Sequence, residues 1–148
     1  MPAGVQVFER GWLSSNNILL TDEGSATLVD SGYATHATQT LALVERALAG
    51  RPLDQLVNTH LHSDHCGGNA ALQTRYPALH TRIPPGLAKP VQAWNHAELS
   101  YEPTGQTCPP FAVQGLLHPG SSHRWANTEW QVHAAPGHDP HSVDRKSV

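Results

Sequence analysis

The segment Thr59-His60-Leu61-His62-Ser63-Asp64-His65-Cys66-Gly67-Gly68 places three imidazoles and a carboxylate within six consecutive positions, His60 to His65. No other feature constrains the chain as much. Imidazole and carboxylate are the N and O donors that bind zinc and related divalent metals. If residues 60–62 are extended, His60 and His62 point to the same side, because side chains alternate along a strand. Asp64 and His65 are neighbours and cannot share a face of a straight strand. The chain must therefore turn there, and Gly67-Gly68 offers the freedom to do so. One pair of donors then serves one metal, and the second pair reaches a metal beside it. A lone histidine is more often solvated or hydrogen-bonded than a ligand, but four ligand-type side chains packed together after an apolar segment point to metal. The interior position and the interleaved Asp64 exclude a polyhistidine tag.

This His-x-His-x-Asp-His motif, preceded by Thr and followed by Gly-Gly, resembles the signature of the metallo-β-lactamase-fold hydrolases. Val29-Asp30-Ser31-Gly32 is similar to that family's early strand end, and Pro136-Gly137-His138-Asp139-Pro140-His141-Ser142 to its Pro-Gly-His segment, in the family's order and approximate separation. The resemblance implies an α/β (α+β) fold, a metallo-β-lactamase-like αββα sandwich, over residues 1–143. It implies that His60, His62 and His138 hold a first metal, leaving an open position for water, as in a catalytic zinc site. Asp64 and His65 would hold a second, Asp64 also orienting the attacking water. Asp30 lies near such a site without ligating. The implied cofactor is Zn2+, one or two ions, with iron as the alternative. In this fold the region 84–110 can overhang the metals, which makes Trp94, His96, Tyr101 and Glu102 candidate substrate contacts. For any one of the aromatics, packing within a helical flap is the commoner role.

The resemblance also implies a further apolar strand, an aspartate bridging the metals and a later histidine. Here Val143 is followed by Asp144-Arg145-Lys146-Ser147-Val148, which is not a plausible central strand. The expectation is a truncated chain with an incomplete second half, residues 144–148 being a non-native tail. The second metal would bind weakly. Uncovered apolar sheet surface and strand edges would lead to marginal stability, aggregation or homo-oligomerisation.

The rest of the sequence predicts a strand at Val5–Phe8, a hairpin from Asn17–Leu20 and Ala26–Val29, and a helix over His36–Ala49 capped by Thr35 and stopped by Gly50. Leu53–Asn58 reads as the strand that delivers His60 to its C-terminal end, where loops on a rigid sheet gather ligands. A short helix over Asn69–Tyr76 and a strand at Leu79–Ile83 follow. Helical segments punctuated by Pro84, Pro85 and Pro90 come next, with a second helix over Trp94–Tyr101. A second hairpin joins Ser122–Trp125 to Glu129–Ala134 around Ala126-Asn127-Thr128. Its alternation puts Trp130, Val132 and Ala134 inward and His133 outward, and His118 and His123 are assigned to the surface. Gly137 lets the backbone bend close to the site.

At 148 residues one domain is expected. The net charge of −3 gives no field for nucleic acid or anionic membrane, so the expected partner is a small-molecule substrate. Cys66 and Cys108 form neither a CxxC pair nor a disulfide framework; Cys66 is expected buried and Cys108 in a loop. No apolar run reaches membrane-spanning length, and no signal peptide is evident, so a cytoplasmic location is expected. The activity implied is hydrolysis of a small-molecule ester, thioester or lactone by metal-activated water. Missing secretion signals weigh against a periplasmic antibiotic hydrolase, and the acidic balance against a nuclease. Two alternatives stand beside it. One is a truncated metal-binding product without turnover. The other is a di-iron redox relative, disfavoured because the oxygen-reducing branch typically carries Glu where His62 stands.

Overall fold

The computed structural model describes residues 3–11, 14–99, 101, 104–137 and 139–148, and of His96 and Ala97 the backbone only. Two expected site residues, His138 and Glu102, and the side chain of His96 therefore lie outside the described residues.

Three strands, β1 (Val5–Phe8), β2 (Asn17–Thr21) and β3 (Ala26–Val29), form an antiparallel meander. The β2–β3 turn is set by Asp22, whose Oδ1 accepts from the backbone N–H of Gly24 and of Ser25, each at 2.8 Å. From β3 onward the pairing is parallel, to β4 (Gln55–Val57), β5 (His80–Ile83) and β6 (Gly115–Leu116), giving one six-stranded mixed sheet in sequence order. Parallel neighbours need crossovers. Helix α1 (Ala37–Leu48) makes the first; α2 (Ser63–Cys66) and α3 (Asn69–Arg75) make the second. The third runs through a 3-10 turn at Pro85–Leu87, α4 (Ala88–Ala93) and α5 (His96–Leu99). A separate antiparallel sheet joins β7 (Ser122–Trp125), β8 (Thr128–Ala134) and β9 (Val143–Ser147) in that order.

The central strands are apolar on both faces because they are covered on both. Leu19, Leu28 and Leu56 pack with Val44 and Leu48 of α1 and Leu72 of α3. Their neighbours Leu20, Val29 and Val57 face the other way, onto Trp125, Val132 and Val143 of the second sheet. The layers are thus helix, sheet, sheet. Residue by residue, that alternation fixes the register, since a slip of one would exchange the two faces.

Several expectations need correction. The predicted cap at Thr35 does not form: a 3-10 turn, Ala34–His36, leads into α1, and His36 at the cap position makes no side-chain capping bond. The second hairpin closes on two residues, Ala126 and Asn127, at φ 52° and 57°, with Thr128 already paired to Trp125. Two consecutive positive φ values match the twist of the flanking strands. Ala134 is exposed, whereas His133 faces outward as expected. Residues 143–147 pair with β8 as an edge strand, consistent with their unfitness for a central one. Among the described residues the exposed large hydrophobics are Val7 and Val148. No helix among the described residues is long and apolar enough to cross a membrane.

Candidate metal centre

Beyond the end of β4 the chain bends at Thr59 and His60, is extended at His62, then enters α2, so the motif sits on a strand-to-helix turn. The rings of His60 and His62 lie 4.7 Å apart between centroids, those of His60 and His65 3.9 Å. His60 is buried, while His62 and Asp64 keep partly open side chains at 43 % and 42 % exposure. The turn that opposes His65 to His60 is not made by glycine freedom, contrary to expectation. Gly67 and Gly68 have ordinary φ of −62° and −89°. Their requirement is space: a Cβ on Gly67 would strike the backbone of Ala34 and Tyr33, and one on Gly68 would lie 2.5 Å from the Ser31 carbonyl oxygen. The glycines let the strand-end segment 31–34 press directly on the motif.

Just before that segment stands the organiser, Asp30, which is buried at φ 59°. Its carboxylate accepts from the Thr59 N–H at 2.9 Å, the Thr59 hydroxyl at 2.8 Å and His65 Nδ1–H at 2.8 Å. Because the Thr59 hydroxyl proton goes to Asp30, its oxygen accepts from His60 Nδ1–H, 3.1 Å away. The hydrogen-bond network therefore assigns both rings the tautomer with its lone pair on Nε2. Burial, with the nearby His65 ring adding to it, lowers the His60 pKa to about 4, so this imidazole is neutral near pH 7. Burial also disfavours charge on His65, but the Asp30 hydrogen bond and charge, helped by Asp64, outweigh it and raise its pKa.

The second turn is built differently. Val143 N–H donates to the Thr59 carbonyl at 2.8 Å, joining the start of β9 to the motif. Asp139 is buried, its Oδ1 accepts from the His141 N–H at 2.7 Å, and its Oδ2 lies 3.2 Å from His62 Nε2. Gly137, expected to bend the backbone, has no left-handed φ and open space where a Cβ would point.

The described candidates divide into two groups. His60, His62, Asp64 and His65 come together. Trp94 and Tyr101 lie instead in a packed cluster with Phe111, their rings 6.1 Å apart, and Tyr101 donates its hydroxyl to the Leu61 carbonyl at 2.7 Å. Tyr101 thereby pins the motif's backbone from beneath, and Cys66 contacts the same hydroxyl at 3.2 Å. Among the described residues no three His, Cys, Asp or Glu side chains are gathered as one metal's ligands. The donor chemistry nevertheless fits a divalent ion. Three imidazoles converge, and two of them back one ring nitrogen onto a buried carboxylate, His65 onto Asp30 and His62 onto Asp139, as metal-ligating imidazoles do. Sequence reasoning passed over Asn58 and Asn69, fully buried residues that bond each other at 2.7 Å beneath the motif, with Ser31 bonding Asn69. An asparagine in an apolar strand end was the one available clue.

Residues 10–143 match the family model of the metallo-beta-lactamase superfamily. The chain belongs to the metallo-beta-lactamase superfamily. Solved superfamily structures share its fold: the Legionella gormanii FEZ-1 metallo-beta-lactamase at TM-score 0.75 and 16 % identity, covering 89 % of this chain and 51 % of that one. MIM-1 from Novosphingobium pentaromativorans aligns at TM-score 0.72 and 26 % identity, over 88 % of this chain and 48 % of that one. A hydroxyacylglutathione hydrolase of Stenotrophomonas maltophilia is 39 % identical over 67 residues, 45 % of this chain and 24 % of that protein. The chain thus spans about half the length of the solved relatives it matches, and less of this hydrolase. A superfamily fold of this kind implies a divalent metal.

Proposed function

We propose that this chain carries the metal-binding half of a zinc-dependent hydrolase of a small-molecule ester, thioester or lactone. The observation that supports this best is the convergence of the His60, His62 and His65 rings, with Asp30 holding two of them in the tautomer that offers Nε2. His60, His62 and His138 would hold a first zinc, and Asp64 and His65 a second. Zinc, when bound, lowers the pKa of water towards neutrality and polarises the scissile bond's oxygen. The chain's own residues keep His60 buried and neutral and hold the His60 and His65 rings in orientation. Asp64, partly open and 3.5 Å from His65 Nε2, would accept a proton from water or orient it. The relative named as a hydroxyacylglutathione hydrolase supports a small-molecule thioester over a β-lactam.

The test is metal analysis of the purified chain, followed by hydrolysis of thioester, lactone and phosphodiester panels with added zinc. Bound zinc, and thioester or lactone turnover abolished by chelator and by His60→Ala, is the expected result. Turnover indifferent to both overturns the proposal. Bound zinc with no turnover on any panel would make the chain a metal-binding protein without catalysis, and bound iron would favour redox chemistry.

A further inference from the structure

We infer that Asp139 is a positioning residue for His62, doing for that ring what Asp30 does for His65. This rests on the proposed metal site but goes beyond its ligand set. Asp139 is buried, and both of its carboxylate oxygens are engaged. Oδ1 accepts the His141 N–H at 2.7 Å, which locks the side chain onto its own turn. Oδ2 faces His62 Nε2 at 3.2 Å, an ion-pair contact at the long end of N–H···O distances.

A ring that donates Nε2–H to a carboxylate carries its lone pair on Nδ1, the opposite choice from His60 and His65. The difference follows from the backbone. His62 stands at the entry to α2 with φ −66° and ψ 147°, two residues beyond His60 and past the bend at Thr59 and His60. The ring is half open to solvent, and Asp139 on the facing turn offers its Nε2 a carboxylate oxygen.

The turn is also held from outside. The Ser142 N–H donates to the Asp139 carbonyl at 3.1 Å. The His141 ring packs onto Gly86 so closely that a Cβ there would collide with it. Position 86 therefore offers a way to disturb Asp139 through His141 without substituting a residue of either turn.

The test uses the full chain and four variants, Asp139→Ala, Asp139→Asn, Gly86→Ala and His62→Ala. Zinc affinity is read by competition with a chromophoric chelator, and His62 ring 15N shifts report the tautomer in metal-free protein. Wild type should show His62 with Nε2–H. Asp139→Ala should lose that single tautomer and bind zinc about 10–100-fold more weakly, the range for removal of such an outer partner. Asp139→Asn, which can still accept the N–H, should keep the tautomer and lose less affinity, a rescue that separates positioning from folding. Gly86→Ala should weaken binding in the same direction. Cobalt-substituted wild type and Asp139→Asn should give the same ligand-field bands.

The inference is overturned by an Nδ1–H tautomer in wild type, by unchanged affinity in Asp139→Ala, or by cobalt bands showing that Asp139 itself is a lost ligand. It fails separately from the proposed function: if His62→Ala also leaves zinc binding unchanged, the metal site is at fault. If only the Asp139 variants do, the positioning role is.

Discussion

The two turns that build the candidate site are made by opposite means. The first, residues 59–68, is clamped from three sides: Asp30 accepts three hydrogen bonds, Tyr101 holds Leu61, and the backbone of residues 31–34 presses on Gly67 and Gly68. It stands on a six-stranded sheet covered by helices on one face and a second sheet on the other. The second turn, residues 136–142, stands at one end of a three-stranded sheet. Among the described residues it is held by Asp139 and His141, by backbone bonds from Ala135 N–H to Ser142 and from Ser142 N–H to Asp139, and by one tie to the motif, from Val143 N–H to the Thr59 carbonyl. A binding site can therefore combine one turn whose geometry is over-determined with another that is merely pinned. Errors in the first should cost stability and function together, whereas errors in the second should cost function with little stability.

Asp30→Ala strikes the over-determined turn hardest. It leaves the Thr59 N–H, the Thr59 hydroxyl and His65 Nδ1–H without their buried acceptor, and it frees the His60 tautomer that Thr59 sets. We expect a loss of about 3 kcal/mol of stability, from the unsatisfied buried donors and the broken pair, together with loss of zinc binding. Urea unfolding with chelator titration checks both; a variant as stable as wild type would show that the clamp is not what holds this turn. Gly67→Ala should follow at roughly 2–3 kcal/mol, the upper part of the overpacking range, because its Cβ meets backbone, which cannot rotate away.

How much of this could be read from the sequence depends on which physics was local. The ligand-type cluster, the strands leading to and following it, and the hairpins are set by residue type and periodicity, and Ala26–Val29 is placed to the residue. The role of Gly67 and Gly68 was misjudged because close approach of a segment more than thirty residues away leaves no local trace. Thr35 carries good capping chemistry, yet tertiary packing of the Ala34–His36 turn overrode it. Strand β6 is two residues long, Gly115 and Leu116, and exists only because β5 offers a parallel edge. Asp139 lay inside a recognised motif, but its partner His62 is 77 positions earlier, and only the fold joins them.

Acid should sharpen the same contrast in the metal-free protein. His60, in the clamped turn, has its pKa lowered to about 4 by burial, against about 6.5 in an unfolded chain. Between those values the unfolded state binds a proton that the folded state refuses, so His60 lowers stability progressively as pH falls from about 6.5 to 4. His65 has the opposite sign: its raised pKa stabilises below about 6.5 and is lost as pH rises through the folded value. Thermal melts of chelated protein should therefore fall less steeply with acid in His60→Gln than in wild type over that window. Parallel slopes would show that His60 is not buried as a neutral ring.

The smallest expected effect is the most discriminating. Gly137→Ala lies in the motif segment that resemblance singles out, next to the expected ligand His138, and a reading from motif alone predicts damage. The structure gives a different outcome, because a Cβ at residue 137 points into open space and its φ is not left-handed. Stability should change by no more than about 0.5 kcal/mol, as for an ordinary surface substitution. Zinc affinity should fall only if the methyl group displaces Asp139 from His62, which the His62 tautomer would report in the same sample. A loss of stability comparable to that of Gly67→Ala would mean that the two turns are equally constrained, and the contrast between a clamped turn and a pinned one would be wrong.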